Sequence, residues 1–138
     1  MSLSWTAPTS TGGDAITDYA MQYSSNAGSS WTTFSDSVSS STSATVTGLT
    51  NGTAYVFRVA AVNNAGTGSY SSASGNVSPR TSPDAPSSVI ATAGNEQVSL
   101  SWTVPAFNGG VAITDYQIEY SQDASTWTSF ADGTSTLR

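Results

Sequence analysis

The sequence predicts an all-β protein of sandwich units in tandem, and three observations carry that prediction. From Tyr55 to Val62 the side chains alternate with a period of two, which places Tyr55, Phe57, Val59 and Ala61 on one face of a strand and Val56, Arg58, Ala60 and Val62 on the other. The face with the rings is expected to point inward and the face with Arg58 outward. Turn chemistry such as Asn51-Gly52 brackets the apolar runs, because glycine takes positive φ freely and asparagine tolerates it. Residues 3–19, LSWTAPTSTGGDAITDY, return at 100–116 as LSWTVPAFNGGVAITDY, an offset of 97 residues. That period suits a tandem array of domains of about 100 residues.

Taken in order, Met1, Leu3 and Trp5 share one strand face, and Val98, Leu100 and Trp102 repeat the pattern. Pro8 and Pro105 end those strands, since proline lacks the donor that a central ladder requires. Gly12-Gly13 and Gly109-Gly110 open the next loop. Tyr19, Met21 and Tyr23 then mark a strand, as do Tyr116, Ile118 and Tyr120. A polar turn over 24–30 leads to Trp31 and Phe34 on a short strand, and Trp127 and Phe130 follow in the second copy one residue sooner. Residues 35–43 form a Ser/Thr connector, and Ala44, Val46 and Leu49 are spaced as a strand entering the Asn51-Gly52 turn. After the central strand, residues 63–68 form a loop and Tyr70 to Val77 is expected to be a weakly alternating strand. Pro79, Pro83 and Pro86 punctuate a semi-rigid connector over 79–85. Val89 and Ala91 begin the next strand, and Gly94-Asn95 turns it into the one carrying Trp102.

The run from Gly48-Leu49 through a short turn to Tyr55, then Arg58-Val59 and Asn63-x-x-Gly66, resembles the E–F corner and strand F of fibronectin type III domains. The resemblance implies an immunoglobulin-like β-sandwich in which the Tyr55 hydroxyl bonds back to nearby backbone. It maps residues 1–78 onto strands B, C, C′, E, F and G of a first domain without strand A. Residues 86–138 map onto strands A, B, C and C′ of a second. Met1 aligns with Val98, so the chain is expected to be a window on a longer array. The core it implies is Trp5, Tyr19, Tyr23, Trp31, Leu49, Tyr55, Phe57 and Val59, with Trp102, Tyr116, Tyr120 and Trp127 in the second unit.

Composition removes several chemistries. There is no Cys and no His, so no disulfide framework, no thiolate metal site and no imidazole base is expected. Lysine is absent; Arg58, Arg80 and Arg138 are the cations against nine acids, for a net charge of −6. Three scattered arginines make no basic stripe, which argues against nucleic acid as a partner. No apolar run approaches transmembrane length, so no membrane insertion is expected. The carboxylates read as exposed, no loop spaces acids for calcium, and serine has no His or Lys to activate it. Catalytic residues, cofactor and metal are therefore all expected to be none. Asn51-Gly52-Thr53 and Asn76-Val77-Ser78 match the N-glycosylation triplet, which arises often by chance in a chain about one-third Ser and Thr.

The resemblance implies a non-catalytic spacer module of a larger secreted, cell-surface or virion protein of bacterial or phage type. The alternative is an adhesive module that holds protein or carbohydrate with its B–C and F–G loops, for which Asn63, Asn64, Tyr70, Phe107 and Asn108 are the contacts on offer. An exposed Phe107 would favour that alternative. The second unit lacks E, F and G, so its rings should face water. Association by strand exchange or edge pairing, with identical chains or neighbouring repeats, is the expected partner.

Overall fold

The computed structural model describes residues 1–134, and every regular element among them is a β-strand. The chain divides into two compact units, Met1–Pro79 and a second that begins at Arg80. Residues 135–138, the end of the expected second domain together with Arg138, lie outside the described residues.

In the first unit β1 (Ser2–Ser4), β2 (Asp18–Ser24), β3 (Thr32–Phe34), β4 (Ser43–Thr45), β5 (Val56–Asn63) and β6 (Gly66–Thr67) make two antiparallel sheets. One has the order β1-β4 and the other β3-β2-β5-β6. The central pair is β2 with β5, in register from Asp18 opposite Val62 to Ser24 opposite Val56. The β1–β4 ladder continues past its ends through Val46 N–H to the Met1 carbonyl at 2.8 Å and Trp5 N–H to the Thr42 carbonyl at 3.0 Å. Between the sheets Val46, Tyr55 and Phe57 form the enclosed centre, packed by Met1, Leu3, Tyr23, Phe34 and Leu49. Tyr19 and Met21, two residues apart on β2, are buried beside it. Trp5 meets Tyr19 edge-on with ring centroids 5.2 Å apart, and Tyr23 meets Tyr55 at 5.8 Å. Each such pair adds roughly 0.5–1.5 kcal/mol to the area buried.

Tyr55 sits one residue before β5, bridged to Val77 in both directions by backbone bonds of 2.9 Å. Its hydroxyl is turned back to the preceding corner and accepts the Thr50 N–H at 3.1 Å. Gly52, at φ 81°, makes the bend, and its N–H donates to the Pro79 carbonyl at 2.8 Å, which ties the corner to the end of the unit. Tyr55→Phe removes one acceptor from a nearly enclosed site, so it should lower unfolding free energy by roughly 0.5–2 kcal/mol in chemical denaturation.

Three expectations are corrected in this unit. Val56 and Ala60, assigned to the outer face of the central strand, are as enclosed as Tyr55, while inward-facing Val59 is only half-buried. The second correction concerns Trp31, which is not in the inter-sheet core: its ring lies over Arg58 on the outer face. The third is Tyr70 to Val77, which is not a regular strand. Along 68–77 the amides of Gly68, Ser71, Ser74 and Val77 donate to the carbonyls of Ala61, Val59, Phe57 and Tyr55, so three residues on one side advance against two on the other. Such a ladder leaves β5 amides without carbonyl acceptors. Ser71 and Ser74 supply hydroxyl oxygens instead, taking the N–H of Val59 at 3.2 Å and of Phe57 at 2.9 Å. A bulged edge of this kind offers a poor template for further strands.

The second unit holds β7 (Ser87–Gly94), β8 (Gln97–Thr103), β9 (Ile118–Tyr120) and β10 (Thr128–Phe130), as two separate antiparallel pairs, β7-β8 and β9-β10. Trp102 and Tyr116 reproduce the Trp5–Tyr19 contact at 5.1 Å. The connector is not free over its whole length. Thr81 N–H donates to the Gly109 carbonyl at 2.9 Å and Asp84 N–H to the Phe107 carbonyl at 3.0 Å, which zips 81–84 against the loop after β8. Gly109 is required there: its φ is +79°, and a Cβ would run into the Thr81 carbonyl oxygen.

The turns after β2 and β9 share one device. Asn26 Oδ1 accepts the Ser30 N–H at 2.9 Å, and Asp123, 97 positions on, accepts the amides of Thr126 and Ser125 at 2.8 Å each. Those amides, with the Ser121 hydroxyl, hold the Asp123 carboxyl well below the usual carboxylate range. The depressed value means that this turn's contribution is complete at neutral pH and is lost as pH falls through the folded-state pKa.

Candidate interaction surface

Three surfaces remain once the core is set aside. The first is the loop end of unit one, where the loops after β1 and β5 meet. Asn63 bridges them, its Nδ2 donating to the Thr11 carbonyl at 2.7 Å and its Oδ1 accepting the Ala65 N–H at 2.9 Å. Beside the bridge runs a groove of about 650 Å³, walled by Trp5, Pro8, Ile16, Tyr19, Val59 and Tyr70. Trp5 Nε1 is buried there with no hydrogen-bond partner among the described residues, and Trp102 Nε1, at the same position of the repeat in the second unit, is likewise buried and unpartnered among them. Among the described residues no three acidic side chains converge in a way that could hold a metal ion.

Of the five residues proposed as loop contacts, three are occupied within the fold. Asn63 joins the two loops, and the Tyr70 ring stacks on Arg58 with 4.5 Å from guanidinium carbon to centroid. Asn108 Oδ1 accepts the Gly110 N–H at 3.0 Å. Asn64 is exposed, and Phe107 is 38 % exposed. Phe107 and Asn108 belong to the second unit and the others to the first.

The second surface is one that sequence reasoning missed. On the outer face of β5 the Arg58 guanidinium lies between two rings, 4.1 Å from the centroid of Trp31 and 4.5 Å from that of Tyr70. Its Nε and Nη2 both donate to Gln22 Oε1, at 2.9 and 2.7 Å. Gln22 stands directly opposite Arg58 across the β2–β5 ladder. The signal in the sequence was the lone arginine on a strand with Trp31 nearby, since guanidinium planes stack on aromatic faces. Arg58→Ala should cost about 1–3 kcal/mol in denaturation, from two stacking contacts and a charged hydrogen bond. Arg58→Lys should recover little of it, because an ammonium supplies no planar fork.

The third surface is the face of the second unit that corresponds to the first unit's core. Val98, Leu100, Trp102, Ile118, Tyr120 and Phe130 line an open groove of about 1010 Å³. Tyr120, Trp127 and Phe130 are 55, 57 and 56 % exposed, so Tyr120 and Trp127 are corrected from core to surface. Trp102 and Tyr116 are half-buried. The physical reason is that the described residues of this unit include nothing like β4 and β5 to cover them.

Comparison with known proteins agrees with this architecture. The family model for the fibronectin type III domain matches residues 1–76. Myomesin-2 of Homo sapiens is 30% identical over 134 residues, covering 92% of this chain and 9% of that protein. The M-protein of striated muscle from Gallus gallus is 31% identical over 133 residues, covering 92% of this chain and 9% of its own length. A Kelch domain-containing protein of Saccharolobus solfataricus is 40% identical over 79 residues, or 56% of this chain and 10% of that protein. The chain thus spans about a tenth of the length of these relatives. With its corner tyrosine bonded back to the turn, its two-sheet core and this match over more than half its length, the chain belongs to the fibronectin type III family.

Proposed function

We propose that this chain is a non-catalytic structural segment, a spacer within a longer protein built from fibronectin type III repeats. Domains of this family are generally structural or binding modules of multidomain proteins. The observation that carries the spacer reading is the condition of the loops, where Asn63 and Tyr70 of the first unit and Asn108 of the second are each turned back onto their own unit. Binding surfaces rely on aromatic or arginine anchors that are free to enter a partner. Here Arg58, Trp31 and Tyr70 are stacked on one another. The setting we assign is a secreted, cell-surface or virion protein, in keeping with a chain that is acidic and has neither lysine nor cysteine.

A second reading, an adhesive module for protein or carbohydrate, is favoured by the exposure of Phe107 and Asn64. Screening the whole chain against immobilised glycans and peptides separates the two. The spacer reading expects no ligand retained above background. A ligand held by the chain and released by Phe107→Ala or Asn64→Ala would overturn it.

A further inference from the structure

Two asparagines in the chain precede a glycine, in Asn51-Gly52 and Asn108-Gly109. The dipeptide carries a chemistry of its own. The backbone nitrogen that follows an asparagine can attack the side-chain amide carbon and close a five-membered imide. Glycine, with no Cβ, crowds that approach least. The structure treats the two sites differently.

At Asn51 the nucleophile is engaged. Gly52 N–H donates to the Pro79 carbonyl at 2.8 Å, and that bond must break before the nitrogen can attack. At Asn108 the arrangement is the reverse. The Gly109 N–H has no acceptor among the described residues. Asn108 Oδ1 accepts the Gly110 N–H at 3.0 Å, which folds the side chain back over its own main chain. The same N–H stands where negative charge develops on Oδ1 as the ring closes, the arrangement of an oxyanion hole. Asn108 is exposed, so water and hydroxide reach it. That exposure does not depend on the open face of the second unit. Thr11, at the equivalent position of the first unit, is exposed although the sheets there are closed.

We propose that Asn108 is a self-modifying site, which converts through a cyclic imide to isoaspartate and aspartate and so releases the connector from the loop after β8. In the first step Gly109 N gives its proton to hydroxide and bonds to Asn108 Cγ. The Cγ–Nδ2 bond breaks, and Nδ2 leaves as ammonia with a proton taken from water. Water then opens the ring. Attack at Cγ gives aspartate. Attack at the Asn108 main-chain carbonyl carbon gives isoaspartate, in which the backbone runs through the side chain. The first repeat has Thr11 in place of the asparagine, so the chemistry belongs to the second copy alone.

The consequence lies in what flanks Asn108. The Phe107 carbonyl holds the Asp84 N–H at 3.0 Å, and the Gly109 carbonyl holds the Thr81 N–H at 2.9 Å. Isoaspartate inserts a methylene into the backbone between those two carbonyls, which then no longer match the spacing of the two amides. Gly109 has no slack to absorb the shift, since it is buried with the Thr81 carbonyl packed where a Cβ would stand. Before conversion Pro79 is held by Gly52 and Thr81 by Gly109, which leaves Arg80 alone between two anchored positions. After it, the unanchored chain runs from Arg80 to the start of β7 at Ser87.

Ageing the whole chain in mildly alkaline buffer tests this, with peptides mapped by mass spectrometry that separates isoaspartate from aspartate. In the folded chain Asn108 should convert roughly tenfold faster than Asn51 or more, the rate factor of one hydrogen bond that must first break. In urea the two sites should convert at matching rates. Hydrogen exchange should find the Thr81 and Asp84 amides protected in fresh protein and unprotected after ageing. Aged Asn108→Gln, whose longer side chain closes its ring far more slowly, should keep them protected. Equal conversion of the two asparagines in the folded chain, or faster conversion at Asn51, would overturn the proposal. So would a difference that persists in urea, or aged wild type whose Thr81 and Asp84 amides stay protected.

Discussion

Met21→Ala is expected to destabilise the chain by about 2–5 kcal/mol, while Ile118→Ala, at the same position of the repeat, should change its stability by less than about 1 kcal/mol. Met21 is 2 % exposed at the middle of β2, in register with Val59, so truncating its side chain removes fully enclosed apolar volume. Ile118 begins a three-residue strand whose face is open. Removing its side chain loses only partial burial and leaves no enclosed cavity. Urea midpoints of the two variants, measured where the chain is monomeric, give the comparison directly. Equal losses would mean that both units are closed sandwiches.

The second large effect concerns residues 80–138 expressed alone, which should show no cooperative unfolding transition. Trp102, Ile118, Tyr120 and Phe130 line a face with no covering sheet among the described residues of this unit. Leaving four such side chains uncovered forfeits about 6–12 kcal/mol, comparable with the whole stability of an ordinary domain. The β7–β8 pair by itself does not compensate, since isolated two-stranded ribbons are marginal in water. Circular dichroism against temperature should give a shallow, non-sigmoidal change. A sharp transition in a monomeric sample would show that the half-sandwich closes by some other packing.

Much of this was legible from residue pattern. The corner could be read because its parts are local: glycine for the bend, then a tyrosine whose buried hydroxyl needs a partner within a few residues. The repeat could be read because it is nearly literal. The outward position of Trp31 was also within reach of strand geometry and was missed. Trp31 and Phe34 are three residues apart, and an odd separation along a strand puts two side chains on opposite faces. With Phe34 packed on the core, Trp31 had to leave it. The 70–77 edge was harder to read, because its spacing of three against two belongs to no regular strand. The serines at 71 and 74 that satisfy it look, in sequence, like any others in a serine-rich chain. The engagement of Asn63 and Tyr70 depended on contacts to Thr11 and Arg58, which adjacency in sequence does not reveal.

The central claim is that stability resides in the first unit, whose two sheets close on each other, while the second presents an open face. Native-state hydrogen exchange on the monomeric chain tests it most directly. Amides of β2 and β5 should exchange slowly, through global unfolding, and those of β8, β9 and β10 should exchange orders of magnitude faster, through local opening. Equal protection of the two sets in a sample shown by light scattering to be monomeric would contradict the account.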